Sequence, residues 1–206
     1  MAMVAGRPFL EILLTLFARK GFRRVVLSLG YMSEKVVERF GDRFSEIELI
    51  YEIEETPLGT GGAVRQALER CTTDHVFVLN GDTFLDLEAL EVERLWRAHQ
   101  LPVIVGLAVS DSARYGRLKV AHGRVLSFRE KGLSGPGLIS AGCYVFPRTI
   151  LSEFPSGTAF SLETDFLARA VTQQRFDVFV TKGKFIDIGI PEDYQRAQTE
   201  LAGVCD

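Results

Sequence analysis

Little in this chain invites sulfur or metal-cluster chemistry. Its three cysteines, Cys71, Cys143 and Cys205, are scattered, odd in number and form no C-x-x-C. Neither a disulfide framework nor a zinc ribbon follows from that pattern, and they read as reduced thiols of a cytosolic protein. The three histidines, His75, His99 and His122, show no metal spacing. Long apolar runs are also missing, and the longest stretches fall far short of the ~20 residues a membrane-spanning helix needs. The start, MAMVAGRPFLEILL, lacks the basic opening of a signal peptide and continues into an amphipathic helix. Nor is there an excess of positive charge. A net charge of −3 and a pI near 5.7 argue against nucleic acid or an anionic membrane as partner.

What is present is an ordinary globular balance, 47% hydrophobic and 25% charged over 206 residues. That length suits one domain burying on the order of 70% of its unfolded surface. In the first half, apolar runs of strand type alternate with helical periodicity. Leu10, Leu13, Leu14 and Phe17 recur at helical spacing before Gly21, and RVVLSLG (24–30) follows as a buried strand. Helix 33–41, strand 48–53, helix 63–70, strand 75–80, helix 87–100 and strand 102–109 continue the pattern. This order predicts an α/β fold with a doubly wound, mostly parallel, Rossmann-like sheet. After Ser110 the style changes. GRLKVA and RVLSFRE flank His122-Gly123 as a β-hairpin, LISAGCYVF (138–146) is a strand, and FSLETDFLARAVTQ (160–173) is a helix capped by Ser161. Two short strands around Gly183 and a helix opened by Pro191 finish the chain. The expectation is a single domain, with residues 1–110 as one half and 111–206 as the other.

Five stretches could carry chemistry. TPLGTGGAVRQAL (56–68) places three glycines and two threonines ahead of a helix. Such a loop lets backbone N–H groups approach a ligand, and phosphate at a helix N-terminus is its familiar occupant. The letters fit poorly, because Val64 stands where a dinucleotide fingerprint needs glycine or alanine and no Gly-Lys-Ser/Thr follows. A plain helix-capping turn reads as well. In FVLNGDTF, Asp82 lies just past a strand's carboxyl end, where open α/β sheets bind ligands, although Asn80-Gly81-Asp82 also reads as a turn. In KFIDIG, Asp187 stands between isoleucines, which suits a carboxylate bound to a cation or an edge strand with one face in water. Two such carboxylates with phosphates between them suit Mg²⁺. FREKG offers Glu130 and Lys131 as a phosphate-neutralising site or a solvated pair. FSLETDF offers Glu163 to sugar hydroxyls or to the helix N-terminus. Ser28 and Ser161 have no histidine at motif spacing, so hydrolase chemistry lacks support.

In this order the stretches VAGRPFLE, FRRVVLSLGY, EETPLGTGGAVRQAL, VLNGDTF, YGRLKV, FREKG, AGCYVF, SLETDF and FIDIGIPEDY resemble the sugar-1-phosphate nucleotidyltransferases, from Val4 to about Gln198. Within that family the chain is most similar to the D-glycero-D-manno-heptose 1-phosphate guanylyltransferases, with the mannose-1-phosphate guanylyltransferases close behind. The resemblance implies transfer of GMP from GTP to a sugar 1-phosphate with release of pyrophosphate, assisted by Mg²⁺. Other nucleotide-sugar pyrophosphorylases and a non-catalytic nucleotide-sugar-binding homologue stay open, as does a homo-oligomer. It implies further that Leu58, Gly59, Thr60, Gly61, Gly62 and Gly81 line the nucleotide pocket. Asp82 and Asp187 match the metal-binding aspartates, and Lys131 joins them as a catalytic residue. Gly116, Glu130, Lys131, Ser140 and Glu163 match positions on the sugar phosphate, with Ser140 standing where these enzymes often carry Asn.

The resemblance also implies a triphosphate-holding segment of the kind G-G-x-G-T-R-L followed by P-K-P immediately before VAGRPFLE. The chain as written does not carry it. The expectations are therefore a sheet without its first, central strand, and poor turnover by these 206 residues alone.

Overall fold

The computed structural model describes residues 1–129, 132 and 134–204. In chain order the elements are β1 (Met3–Val4), β2 (Arg7–Pro8), α1 (Phe9–Arg19), β3 (Arg24–Leu29), α2 (Ser33–Phe40), β4 (Arg43–Phe44), β5 (Ile47–Ile53), α3 (Gly59–Ala67), β6 (His75–Leu79), β7 (Thr83–Leu85), α4 (Ala89–His99), β8 (Val103–Val109), β9 (Arg117–Ala121), β10 (Arg124–Arg129), β11 (Gly137–Pro147), α5 (Ala168–Gln173), β12 (Asp177–Thr181), β13 (Phe185–Asp187) and α6 (Pro191–Glu200). A π-helical stretch, Leu162–Leu167, leads directly into α5. No helix among the described residues is long and apolar enough to cross a membrane.

The chain forms two compact units and passes between them four times, rather than dividing once near residue 110. The first comprises Met1–Ile53, Asn80–Leu87 and Gly183–Asp206; the second comprises Glu54–Leu79 and Glu88–Lys182.

In the first unit β3 and β5 pair in parallel, with the two-residue β4 antiparallel on the far side of β5. β3 and β4 are the two edges of that sheet. Helix α1 buries Phe9, Ile12, Leu13, Leu14 and Leu16, and these divide between two cores. Leu14 meets Phe40, Ile47 and Leu49, while Phe9, Ile12, Leu13 and Leu16 meet Phe84, Ile186 and Ala197. Pro8 stands at the N-cap of α1, its ψ of 134° keeping it extended. The short strands β7 and β13 pair antiparallel, setting Asp187 opposite Thr83.

In the second unit six strands run in the order β6-β11-β8-β12-β10-β9. Only β8–β12 is parallel there; β11 returns antiparallel between β6 and β8. The α/β, Rossmann-like class stands, but the pairing is mixed rather than mostly parallel, because the long β11 inserts into the sheet and the hairpin adds two further antiparallel contacts. That hairpin turns at His122 and Gly123 with φ of 50° and 70°, the two positive values a tight hairpin turn needs. Phe146, Phe166, Phe176, Leu151, Leu162 and Leu167 fill the core beneath it.

Candidate active site

Two carboxylates converge in the first unit. Asp82 lies in the turn between β6 and β7, and Asp187 ends β13. The Asp82 carbonyl accepts the Ile188 amide at 2.9 Å, which ties the turn to the β13 exit. Gly189 donates its amide to Asp187 Oδ1 at 2.9 Å. A Cβ on Gly189 would stand 3.0 Å from Asp187 Oδ1 and 3.6 Å from Asp82 Oδ2, so both acids face this one exposed residue. Alternation along β13 explains how an acid sits between isoleucines: Ile186 is fully buried while Asp187 is half-exposed. No group of three or more His, Cys, Asp or Glu side chains poised for a metal occurs among the described residues. Two carboxylates alone are a donor set that fits Mg²⁺, a cation commonly held by only one or two protein carboxylates.

The glycine stretch in the second unit is not an open loop. It is the first turn of α3, which starts at Gly59 instead of residue 63. The Gly61 and Gly62 amides both point at the Phe160 carbonyl, at 2.9 and 3.4 Å, and Phe160 returns its amide to Leu58. Cβ atoms at Gly61 and Gly62 would stand 2.2 Å from the Phe160 ring and 2.5 Å from the Thr158 carbonyl. These two glycines therefore admit the chain's own segment 158–160. Leu58, Gly61 and Gly62 are buried, whereas Gly59, at φ +68°, and Thr60 are exposed. Gly81, also exposed, belongs to the first unit.

Thr60 links this turn to Glu163. Its hydroxyl accepts the Leu162 amide at 2.9 Å and donates to Glu163 Oε2 at 3.1 Å. On the other side, Ser140 donates to the Tyr144 hydroxyl at 3.1 Å, and Tyr144 donates to Glu163 Oε1 at 3.4 Å. Burial, and after it the Glu163 charge, push the Tyr144 phenol far above its ordinary value, so it remains a donor. Gly116 lies against the Phe128 ring and accepts the Ser140 amide through its carbonyl. Ser161 caps the π-helical stretch through Thr164, as its sequence position suggests. Glu130 and Lys131 lie outside the described residues. Neither Tyr144 nor Phe160 carried a site role in the sequence; the only signal for Phe160 was a run of small residues needing something large opposite.

The first unit brings two acids together at strand ends, and the second joins a glycine-led helix to an acid. The chain belongs to the Nucleotidyl transferase family, whose pattern matches residues 1–203. It is 36% identical over 205 residues to the D-glycero-alpha-D-manno-heptose 1-phosphate guanylyltransferase of Aneurinibacillus thermoaerophilus, covering 98% of this chain and 88% of that one. It is 34% identical over 196 residues to the Campylobacter jejuni protein of the same name, covering 94% and 86%. Among solved structures, HddC from Yersinia pseudotuberculosis complexed with GMP-PN superposes with a TM-score of 0.86 at 36% identity, covering 96% of this chain and 87% of that one.

Proposed function

We propose that this protein transfers GMP from GTP to D-glycero-D-manno-heptose 1-phosphate, releasing pyrophosphate. An oxygen of the sugar phosphate attacks the α-phosphorus of GTP, a P–O bond forms, and the α–β bridge breaks with pyrophosphate as leaving group. Neither a covalent enzyme intermediate nor a proton transfer is required, so positioning and charge neutralisation carry the catalysis. Asp82 and Asp187 would hold Mg²⁺, which would offset the negative charge of two phosphorylated substrates. The exposed first turn of α3, at Gly59 and Thr60, faces the nucleoside, together with Gly81. Glu163 accepts hydrogen bonds from sugar hydroxyls, and Gly116, Glu130, Lys131 and Ser140 complete the sugar-phosphate side. The product, a nucleotide sugar made in the cytoplasm, suits assembly of a surface polysaccharide.

The observation that carries this reading is the convergence of Asp82 and Asp187 on Gly189. Its test is pyrophosphate release with Mg²⁺, GTP and either heptose 1-phosphate or mannose 1-phosphate. Turnover with the heptose that disappears in Asp82→Asn supports the reading. Preference for the mannose substrate reassigns the sugar, and nucleotide-sugar binding without turnover points to a regulatory homologue.

A further inference from the structure

Each Glu163 carboxylate oxygen accepts a hydrogen bond, and the donors come from two directions. Thr60 Oγ1 reaches Oε2 from the first turn of α3, and Tyr144 reaches Oε1 from the buried strand β11. Ser161 Oγ lies at 3.5 Å from Oε2 as a marginal third contact. Every polar hydrogen in the chain points one way: Gly142 N–H to Ser140, Ser140 to Tyr144, and Tyr144 to Glu163. On the opposite side the Leu162 amide fixes the Thr60 oxygen, leaving the Thr60 hydrogen for the carboxylate. An ionised carboxylate has about four acceptor positions, so at least one remains for a sugar hydroxyl.

The geometry points to Tyr144 as a positioning residue that aims the Glu163 carboxylate at the sugar, and to Thr60 as the link through which nucleotide binding at α3 strengthens sugar-phosphate binding. This rests on the sugar 1-phosphate reading above. Tyr144 suits the task because its ring is fully buried and stacked on Phe146, with centroids 5.3 Å apart, which leaves the phenol one orientation. Thr60 suits the other because its hydroxyl belongs to the same turn that is proposed to meet the nucleoside. Linkage then makes the effect reciprocal: if nucleotide tightens sugar phosphate, sugar phosphate tightens nucleotide by the same factor.

The test is calorimetric titration of heptose 1-phosphate into the Mg²⁺-containing protein, with and without a GTP analogue whose α–β bridge is methylene and cannot be cleaved. In the wild type the analogue should tighten the sugar phosphate by about fivefold or more. Tyr144→Phe keeps the ring but removes the donor, and should weaken sugar phosphate by about tenfold while leaving the analogue's affinity intact. Ser140→Ala should weaken it less, in the same sense. Thr60→Val should abolish the mutual tightening, and Thr60→Ser, which retains the hydroxyl, should restore it. Unchanged sugar affinity in a folded Tyr144→Phe overturns the positioning role, and mutual tightening that survives Thr60→Val overturns the link. Wild-type protein that binds neither ligand overturns the functional reading itself, and this inference with it.

Discussion

The Gly61 amide donates to the Phe160 carbonyl at 2.9 Å, and a Cβ at Gly61 would meet the Phe160 ring at 2.2 Å. Gly61→Ala therefore forces the stacked Phe154–Phe160 pair, 4.0 Å between centroids, to move. A loss of about 2 to 3 kcal/mol in urea denaturation is expected, the usual scale of overpacking. Gly81→Ala has nothing within 4 Å of its Cβ and serves as the control.

Asp82→Asn and Asp187→Asn should each lower turnover by about a hundredfold or more, since each removes a charge from the proposed metal site. Gly189→Ala gives a finer probe. Its Cβ would crowd Asp187 Oδ1 at 3.0 Å while the residue itself is exposed. Activity should fall while the melting temperature stays near the wild type, because exposed substitutions usually change stability by less than about 0.5 kcal/mol. Steady-state kinetics beside a thermal melt separates the two.

Asp111 should give a pH signature. The amides of Ala113 and Gly135 donate to its carboxylate at 3.1 and 3.0 Å and hold it below the ordinary value of 3.8, with Arg114 adding a smaller effect. A depressed folded value means the tie is complete above 3.8 and is lost as pH falls through that lower value. Hydrogen exchange at the Ala113 and Gly135 amides should therefore lose its protection in strong acid and keep it at pH 5. Asp111→Ala should abolish that dependence.

Asp177 is 1% exposed and opens β12, with Arg175 Nε at 3.0 Å from one oxygen and His99 Nδ1 on the other. Arg175→Ala leaves a buried carboxylate with fewer partners. Because the arginine is itself half-exposed, the cost should be about 1 to 2 kcal/mol in chemical denaturation, below that of a fully buried pair.

The elements most legible in the sequence were those set by local periodicity and turn chemistry. The spacing of Leu10, Leu13, Leu14 and Phe17 gave α1, and His122-Gly123 marked its hairpin. Asp82 and Asp187 were legible as carboxylates at strand ends, and the structure brings them together through β7 and β13. Of these, β13 was legible as the second short strand after Gly183, whereas β7 was not, because a three-residue run at a turn carries no period. The glycine stretch was legible as special, but its cause was not. Whether a missing Cβ makes room for a ligand or for Phe160 depends on a residue a hundred positions away. Tyr144 gave no signal for the same reason: its neighbours Ser140 and Glu163 are ordinary polar residues until β11 and the π-helical stretch are folded.

Strand β11 carries one more consequence. Along its ladder with β8, Ser140 pairs with Gly106 and Tyr144 with Ile104, so Ala141, Gly142 and Cys143 stand opposite Val105 alone. The surplus is two residues, an even number, and Leu138 before it shares one core with Tyr144 and Phe146 after it. Removing one residue from this stretch would exchange the face of Tyr144 and Phe146 with that of Cys143 and Val145, and since all four are buried each would meet a core shaped for a different side chain. Removing two would keep the faces but shorten the span between Ser140 and Tyr144. This irregularity is a parity-preserving spacer, and a deletion series through it would show the fold tolerating even changes in length and rejecting odd ones.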